Sequence, residues 1–529
     1  QFWWLAASRE LPSRVVTAEP IIAPSRRGFI SRSGLEVRTY GSNLEHQSVR
    51  TMAEYTSANR NKIAVVGGGL VGAACACMFS RRGFQVDVLE LREDLRMLKA
   101  TELSVGRSIN LALSVRGQET LRLLGLEDEI LQRHAIPMYA RMIHDPDGST
   151  HPIPYGKKNQ CIYSVGRRYL LEMLLNRAEQ DPNVKLLFGH KLIRAEVEKG
   201  NLVCQNPEGV QHTLSGYRAL LGCDGAFSRM RQDVIRRGRF YFEQKYIEHG
   251  YLELCIPPKD GQFQMAINYL HIWPRGELMM IALPNQDKSY TVTLFMPFAK
   301  FEMLNSPSKI IEFFEKNFPD SIPLMGRESI VSTISSVPPG SLVSIKCSPY
   351  HVGGRALLMG DAAHAMVPFY GQGMNCGFED VLILDGLLSA HGADDSDPSK
   401  VDFAAVFAEF STARAEDAHA IVELALYNYI EMRDLVNSRL FKLRKKLDGV
   451  LHWLMPDFWV PLYTSVTFSR MRYSNCISNK KWQDDTLARA GRVAACGAVT
   501  ALLWFGGRMI RDRPEMAHGV LAWFLSRHQ

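Results

Sequence analysis

Gly67-x-Gly69-x-x-Gly72, with Glu90 eighteen residues beyond the last glycine, is the first constellation whose types and spacing could do chemistry. It follows the apolar run 62–66 and opens a stretch of small residues that reads as a helix. There the first glycine makes the turn, the second lets backbone reach a pyrophosphate, and the third lets helix and strand close. Glu90 ends a second apolar run and is placed to accept from a ribose hydroxyl. A carboxylate at that point repels a 2′-phosphate, so the site favours FAD or NAD over NADP. Val71, Leu89, Leu91 and Arg92 belong to the same turns.

Two further strand ends carry acids. Asp224-Gly225 closes the run 219–222 and precedes a short basic segment; Gly360-Asp361 closes 356–359 and precedes a helix. An isolated Asp-Gly is most often a turn. Three acidic or glycine-rich strand ends on one chain instead describe a dinucleotide held along one edge of a sheet. After Asp361, the loop 368–375 (Phe369, Gln372, Met374 and Asn375 among its residues) offers backbone N–H groups to a planar heterocycle. His364 is tempting as an acid or base, yet a histidine in a first helical turn is most often simply packed.

The elements needed to position these groups are legible. The runs 62–66 and 84–90 with the intervening helix form a βαβ unit, and 184–188, 219–222 and 356–359 read as further buried strands. Between 245 and 297 the pattern turns β-rich and aromatic, and from 401 to 450 the spacing is helical. The fold class expected is α/β: a Rossmann-like domain with an inserted antiparallel β-sheet domain and a helical C-terminal region. The boundaries expected are a disordered leader over 1–61 (Met52 a candidate start), the dinucleotide domain in two parts over 62–240 (with substrate-contacting strands near 138–156) and 336–400, the β-rich substrate domain inserted over 241–335, a helical region closing the substrate site over 401–480, and a basic, apolar, membrane-associated tail over 481–529.

The composition agrees with a large packed protein. The chain has 529 residues, 46% hydrophobic and 22% charged, with a formal charge of +7; it is no collagen, coiled coil or disordered tail. Residues 470–513 alone hold nine basic against three acidic side chains, so the charge is concentrated at one end. The fifteen uncharged residues 493–507 reach only about 22 Å as a helix, short of a hydrocarbon core of about 30 Å unless Arg492 and Arg508 snorkel. Anchoring is expected there, with full spanning left open. Ten cysteines without a CxxC pair read as packing residues in a reducing compartment, and neither metal nor nucleic acid is expected.

The three strand ends together resemble the FAD-dependent aromatic hydroxylases. The stretches 106–114, 138–144, 153–156, 270–275, 360–375 and 427–433 are similar to a narrower family within them, the kynurenine 3-monooxygenases. The resemblance implies tightly bound, non-covalent FAD, NADPH as transient reductant, and O2 as co-substrate. It implies hydroxylation of L-kynurenine at ring position 3 through a flavin hydroperoxide, as a step of tryptophan catabolism. It assigns Arg141 and Tyr155 to the substrate carboxylate, and Asn428, Tyr463, Phe369 and Gln372 to further substrate contacts. To FAD it assigns Gly67, Gly69, Val71, Gly72, Leu89, Glu90, Leu91, Arg92, Ala112, Arg167, Leu192, Asp224, Asp361, Met374 and Asn375. It implies anchoring in the mitochondrial outer membrane with the catalytic part facing the cytosol. A related hydroxylase of another aromatic acid, or a catalytically silent tethered flavoprotein, stay open as alternatives at this point.

Overall fold

The computed structural model describes residues 61–98, 110–156, 159–392, 397–433 and 439–512. Residues 1–60 of the expected leader, residues 106–109 of one motif and the segment after 512 lie outside them.

Lys62–Val66 is buried on both faces because every residue after Lys62 is apolar, and such a run belongs in the middle of a parallel sheet. It pairs in parallel with Gln85–Leu89 on one side and Ala219–Gly222 on the other. Val184–Leu187 and Ala356–Leu358 extend that sheet in parallel at its two flanks, and His351–Val352 adds a short antiparallel edge. The helix Leu70–Arg81 packs on it through small side chains, among them Cys75 and Cys77, both buried. This is the dinucleotide-binding layer.

The second large sheet has seven strands, in the order Gly340–Ser348, Tyr241–Ile256, Tyr290–Pro297, Leu278–Pro284, Tyr269–Arg275, Ala140–His144, Thr150–Pro154. It departs from the expected antiparallel insert in two ways. Strands from 140–154 and 340–348 join it from outside 241–335, and Tyr269–Arg275 pairs with Ala140–His144 in parallel. The stretch 298–336 is helical rather than β-rich. In Pro307–Asn317, Ile310 and Phe314 lie four residues apart on one buried face and pack with Trp273 and Leu294 of the sheet.

Phe403–Arg433, Arg439–Leu454 and Leu462–Thr467 form the helical part. Arg116 ties it to the dinucleotide layer: its guanidinium is 1% exposed, pairs with Glu379 at 2.6 Å, donates to the Val466 carbonyl at 3.1 Å and lies 3.9 Å from the Tyr473 ring centroid. Tyr473–Asp512 is one helix of forty residues. Within its part Tyr473–Phe505 the most apolar window of eighteen residues has mean hydropathy 1.2 and is wholly unburied; among the described residues it is the helix long and apolar enough to cross a membrane.

Candidate active site

The turn after Lys62–Val66 is built around two glycines that leave no room and one that leaves a gap. A Cβ on Gly67 would lie 2.4 Å from the Cys223 carbonyl oxygen, and φ there is +102°. A Cβ on Gly72 would lie 1.9 Å from the Gly67 oxygen. Gly69, by contrast, has nothing within 4 Å of where its Cβ would be. Its backbone opens onto a cavity of about 860 Å³ that runs from this turn to the seven-stranded sheet.

Gly67, Gly69, Val71, Leu89, Glu90, Leu91 and Arg92 line one end of the cavity. Ala112, Arg167, Leu192, Asp224, Asp361 and Met374 continue along it. Glu90 braces its own wall, its carboxylate accepting from Gly68 N at 2.8 Å and from Arg92 N at 3.1 Å. Asp224 faces inward too: Ser228 donates to one oxygen and Met230 N to the other, while burial raises its pKa. Asp361 is exposed at the start of the short helix Asp361–His364. Gly72 and Asn375 sit behind the wall. Asn375 accepts from Ser114 N at 2.9 Å and donates to the Ala112 and Gly371 carbonyls, stitching the loop 368–375 to the strand Asn110–Leu113.

At the other end Arg141, Tyr463 and Phe369 reach the cavity. Arg141 sits on the strand Ala140–His144 and is 9% exposed. Its guanidinium lies 4.3 Å from the Tyr463 ring centroid, and the Tyr155 ring stacks behind Tyr463 at 5.4 Å and 15°. Tyr370 stacks on Tyr463 as well, at 5.6 Å and 11°. Burial opposes the Arg141 charge, but Tyr463, Tyr155 and Glu431 outweigh it and hold the pKa above its ordinary value. Burial, first, pushes the Tyr155 hydroxyl well above its usual range. Arg141 Nε and the Tyr155 hydroxyl are both buried without a hydrogen-bond partner among the described residues. An unpartnered guanidinium nitrogen close to an unpartnered neutral hydroxyl fits an incoming carboxylate.

Asn428 and Gln372 are placed one layer back. Asn428 donates to the Phe369 carbonyl at 2.8 Å, and Gln372 accepts from the Tyr473 hydroxyl at 3.1 Å. They hold the wall rather than form it.

Three features escape the sequence reading. Glu253 lines the cavity with one carboxylate oxygen unpartnered, and burial, opposed by Arg167, pushes its pKa up to about 7. In the alternating strand 251–256 its only signal was a carboxylate among apolar neighbours. Met432 also lines the cavity. Glu431, beside it, is buried, and its carboxyl stays below the usual range because Lys445, at 3.0 Å, and Arg141 overcome the cost of burial.

His364, Cys376 and Asp380 could offer three ligand atoms within 4.8 Å. Their chemistry is already committed. Asp380 accepts from His364 Nε2 at 2.6 Å, from Gly360 N at 3.0 Å and from Arg414 Nε at 2.9 Å. The fully buried Arg414 is a permanent cation that a metal ion would have to face. The cluster is an ion-pair node fixing Gly360, and His364 is packed as expected.

Residues 60–405 match the family model described as FAD binding domain. Kynurenine 3-monooxygenase of Anopheles gambiae is 53% identical over 444 residues, covering 83% of this chain and 88% of that one. Its Sus scrofa counterpart is 48% identical over 447 residues, covering 84% and 90%. Among solved structures, 2-methyl-3-hydroxypyridine-5-carboxylic acid oxygenase aligns with TM-score 0.58 at 19% identity, over 71% of this chain and 93% of that one. A Klebsiella pneumoniae HpxO variant complexed with FAD aligns with TM-score 0.53 at 16% identity, over 75% and 93%. The chain is an FAD-dependent monooxygenase that belongs to the kynurenine 3-monooxygenase family.

Proposed function

We propose that this chain hydroxylates L-kynurenine at ring position 3, consuming NADPH, a proton and O2 and releasing 3-hydroxykynurenine, NADP+ and water. The observation that carries the substrate is Arg141, which reaches the cavity with its Nε unpartnered, and the Tyr155 hydroxyl, buried close behind it and likewise without a hydrogen-bond partner among the described residues. The guanidinium would take the α-carboxylate, with Tyr155 as the second donor. The aromatic walls Phe369, Tyr370 and Tyr463 would receive the aminophenyl ring and exclude water.

FAD, when bound, supplies two-electron uptake from NADPH and the activation of O2. The residues around it hold and orient. Gly69 leaves the space for a pyrophosphate, Arg167 brings positive charge to that stretch, and Glu90 and Asp361 are the acceptors for ribose and ribitol hydroxyls. Asn375, by clamping the loop 368–375 to Ala112, fixes the backbone beside which the flavin ring would lie. No protein base is needed at the reacting carbon, since the aniline nitrogen makes the ortho carbon electron-rich. We place the enzyme at the mitochondrial outer membrane, held by the Tyr473–Phe505 helix, with the catalytic part in the cytosol.

Purified protein should carry a flavin spectrum, and L-kynurenine should speed its bleaching by NADPH. Salicylate-type acids should not. Bleaching indifferent to kynurenine, or stimulated better by another aromatic acid, would overturn the substrate. Arg141→Ala should abolish the stimulation and leave the flavin bound.

A further inference from the structure

The helix Arg439–Leu454 carries an apolar stripe that nothing among the described residues covers. Leu440, Leu443, Leu447, Val450 and Leu454 recur at alternating spacings of three and four and are 41–64% exposed. That spacing lines them on one side of the helix. The opposite side faces the protein: Asp448 is buried, accepts from Trp459 Nε1 at 2.9 Å and pairs with Arg444 at 3.0 Å. Lys442 and Lys446 are exposed beside the stripe, and just past the helix end Phe458 is 75% exposed. Trp453, next to the stripe, is 80% exposed.

Two contacts join this helix and its end to the long apolar one. Arg444 pairs with Asp484 at 2.7 Å, and the Trp459 and Trp482 rings lie 5.6 Å apart. Asp484 precedes the uncharged run at Val493 by nine residues, about 14 Å along a helix. The leucine stripe therefore sits close to where the long helix enters a bilayer.

We propose that Arg439–Leu454 lies in the plane of the membrane interface, its leucine stripe at the boundary of headgroups and acyl chains and Lys442 and Lys446 against anionic headgroups. The proposal rests on the anchoring by Tyr473–Phe505 given above and adds a second, shallow contact made by the catalytic part itself. The same spacing would suit a seam with a second copy of this chain. A two-stranded seam covers only the stripe, however, leaving Trp453 and Phe458 in water and setting lysines beside lysines across a twofold axis. A membrane surface accommodates all of them.

The test uses the full chain in vesicles of neutral and anionic lipid, brominated either near the headgroup or deep in the acyl chain. Headgroup-proximal bromine should quench part of the tryptophan emission, and Trp453→Phe should lose that component, with deep quenching unchanged. The triple variant Leu443→Glu, Leu447→Glu, Val450→Glu should lose it too, while still pelleting with vesicles and keeping kynurenine-stimulated flavin reduction in detergent. Equal shallow quenching in wild type and Trp453→Phe overturns the proposal even where the chain pellets. A stripe covered by cross-links between two copies also overturns it. Failure to pellet at all removes the anchoring, and the proposal with it.

Discussion

The Asn428 side-chain amide donates to the Phe369 carbonyl oxygen at 2.8 Å, so the helix Phe403–Arg433 holds the backbone of the cavity wall directly. The neighbouring Tyr429 stacks on the Phe369 ring at 3.8 Å, fixing its plane as well. Asn428→Ala leaves that carbonyl without its donor and frees the wall to shift. A buried bond of this kind is worth about 1–3 kcal/mol when one partner is removed. We expect KM for kynurenine to rise by roughly tenfold with flavin content unchanged. Steady-state kinetics on yellow, fully loaded protein would check this, and an unchanged KM would show that the wall keeps its place without Asn428.

Tyr155→Phe separates binding from packing. The stack on Tyr463 survives the change, and an orphan buried hydroxyl is removed. Thermal stability should therefore hold or rise slightly, while KM rises by about five- to tenfold for the loss of one hydrogen bond of about 1 kcal/mol. Wild-type KM in this variant would take Tyr155 out of the carboxylate site.

The glycine turn offers a paired test. Gly72→Ala drives a methyl to 1.9 Å from the Gly67 oxygen and should prevent the strand–helix unit from closing, giving insoluble or markedly destabilised protein. Gly69→Ala meets nothing within 4 Å, and its extended backbone, φ −75° and ψ −173°, suits alanine. That variant should fold normally but release FAD more readily, since its methyl occupies the space a pyrophosphate would use. Circular dichroism and the flavin to protein absorbance ratio distinguish the two outcomes.

These contrasts also show what the chain discloses on its own. The turn at Gly67–Gly72 was legible because strand, glycines and helix are consecutive and each obeys a local rule. The parallel pairing of Tyr269–Arg275 with Ala140–His144 was not, since no local pattern joins segments more than a hundred residues apart. The helices over 307–336 are weakly marked: Ile310 and Phe314 carry helical spacing, but the segment follows aromatic strands and has few other apolar repeats. By residue type and spacing alone Arg141 does not differ from a surface cation; only resemblance to a family singles it out, and its burial beside Tyr463 is what the fold adds. Glu253 was invisible for a different reason: its alternation is ordinary, and what matters is the cavity in front of it.

Asp380→Asn should be far more damaging than its distance from the substrate end suggests. The carboxylate is fully buried, receives His364, Gly360 and Arg414 together, and is held below its ordinary pKa against the cost of burial by His364 and Arg414. Neutralising it takes one of two carboxylates from the buried Arg414, which keeps Glu379 at 3.2 Å, a loss of about 1–3 kcal/mol. His364, whose pKa Asp380 and Cys376 raise well above 6.5 despite burial, should lose its proton in the same variant. With one acceptor oxygen left for His364, Gly360 N and Arg414, the hold on Gly360 should loosen and FAD should be held more weakly at Asp361. Chemical denaturation and flavin retention measured together would check both effects; normal stability would show that Glu379 alone satisfies Arg414.

Glu253 makes stability depend on pH in a calculable direction. Burial keeps its carboxyl protonated in the fold up to about pH 7, whereas an unfolded glutamate ionises near 4.5. Below about 4.5 both states carry the proton and the contribution is complete. As pH rises toward 7 the unfolded chain releases its proton while the folded one cannot, so stability falls, then levels once both are ionised. At about 1.4 kcal/mol for each pH unit separating the two values, the loss across that window is at most about 3.5 kcal/mol. Glu253→Gln never ionises and should remove this part of the decline, leaving the variant more stable than wild type at pH 8 and matched to it near pH 4.5. Thermal midpoints from pH 4.5 to 8 on both proteins give the comparison. Parallel curves would mean that water reaches the carboxylate and that it titrates as an ordinary surface glutamate.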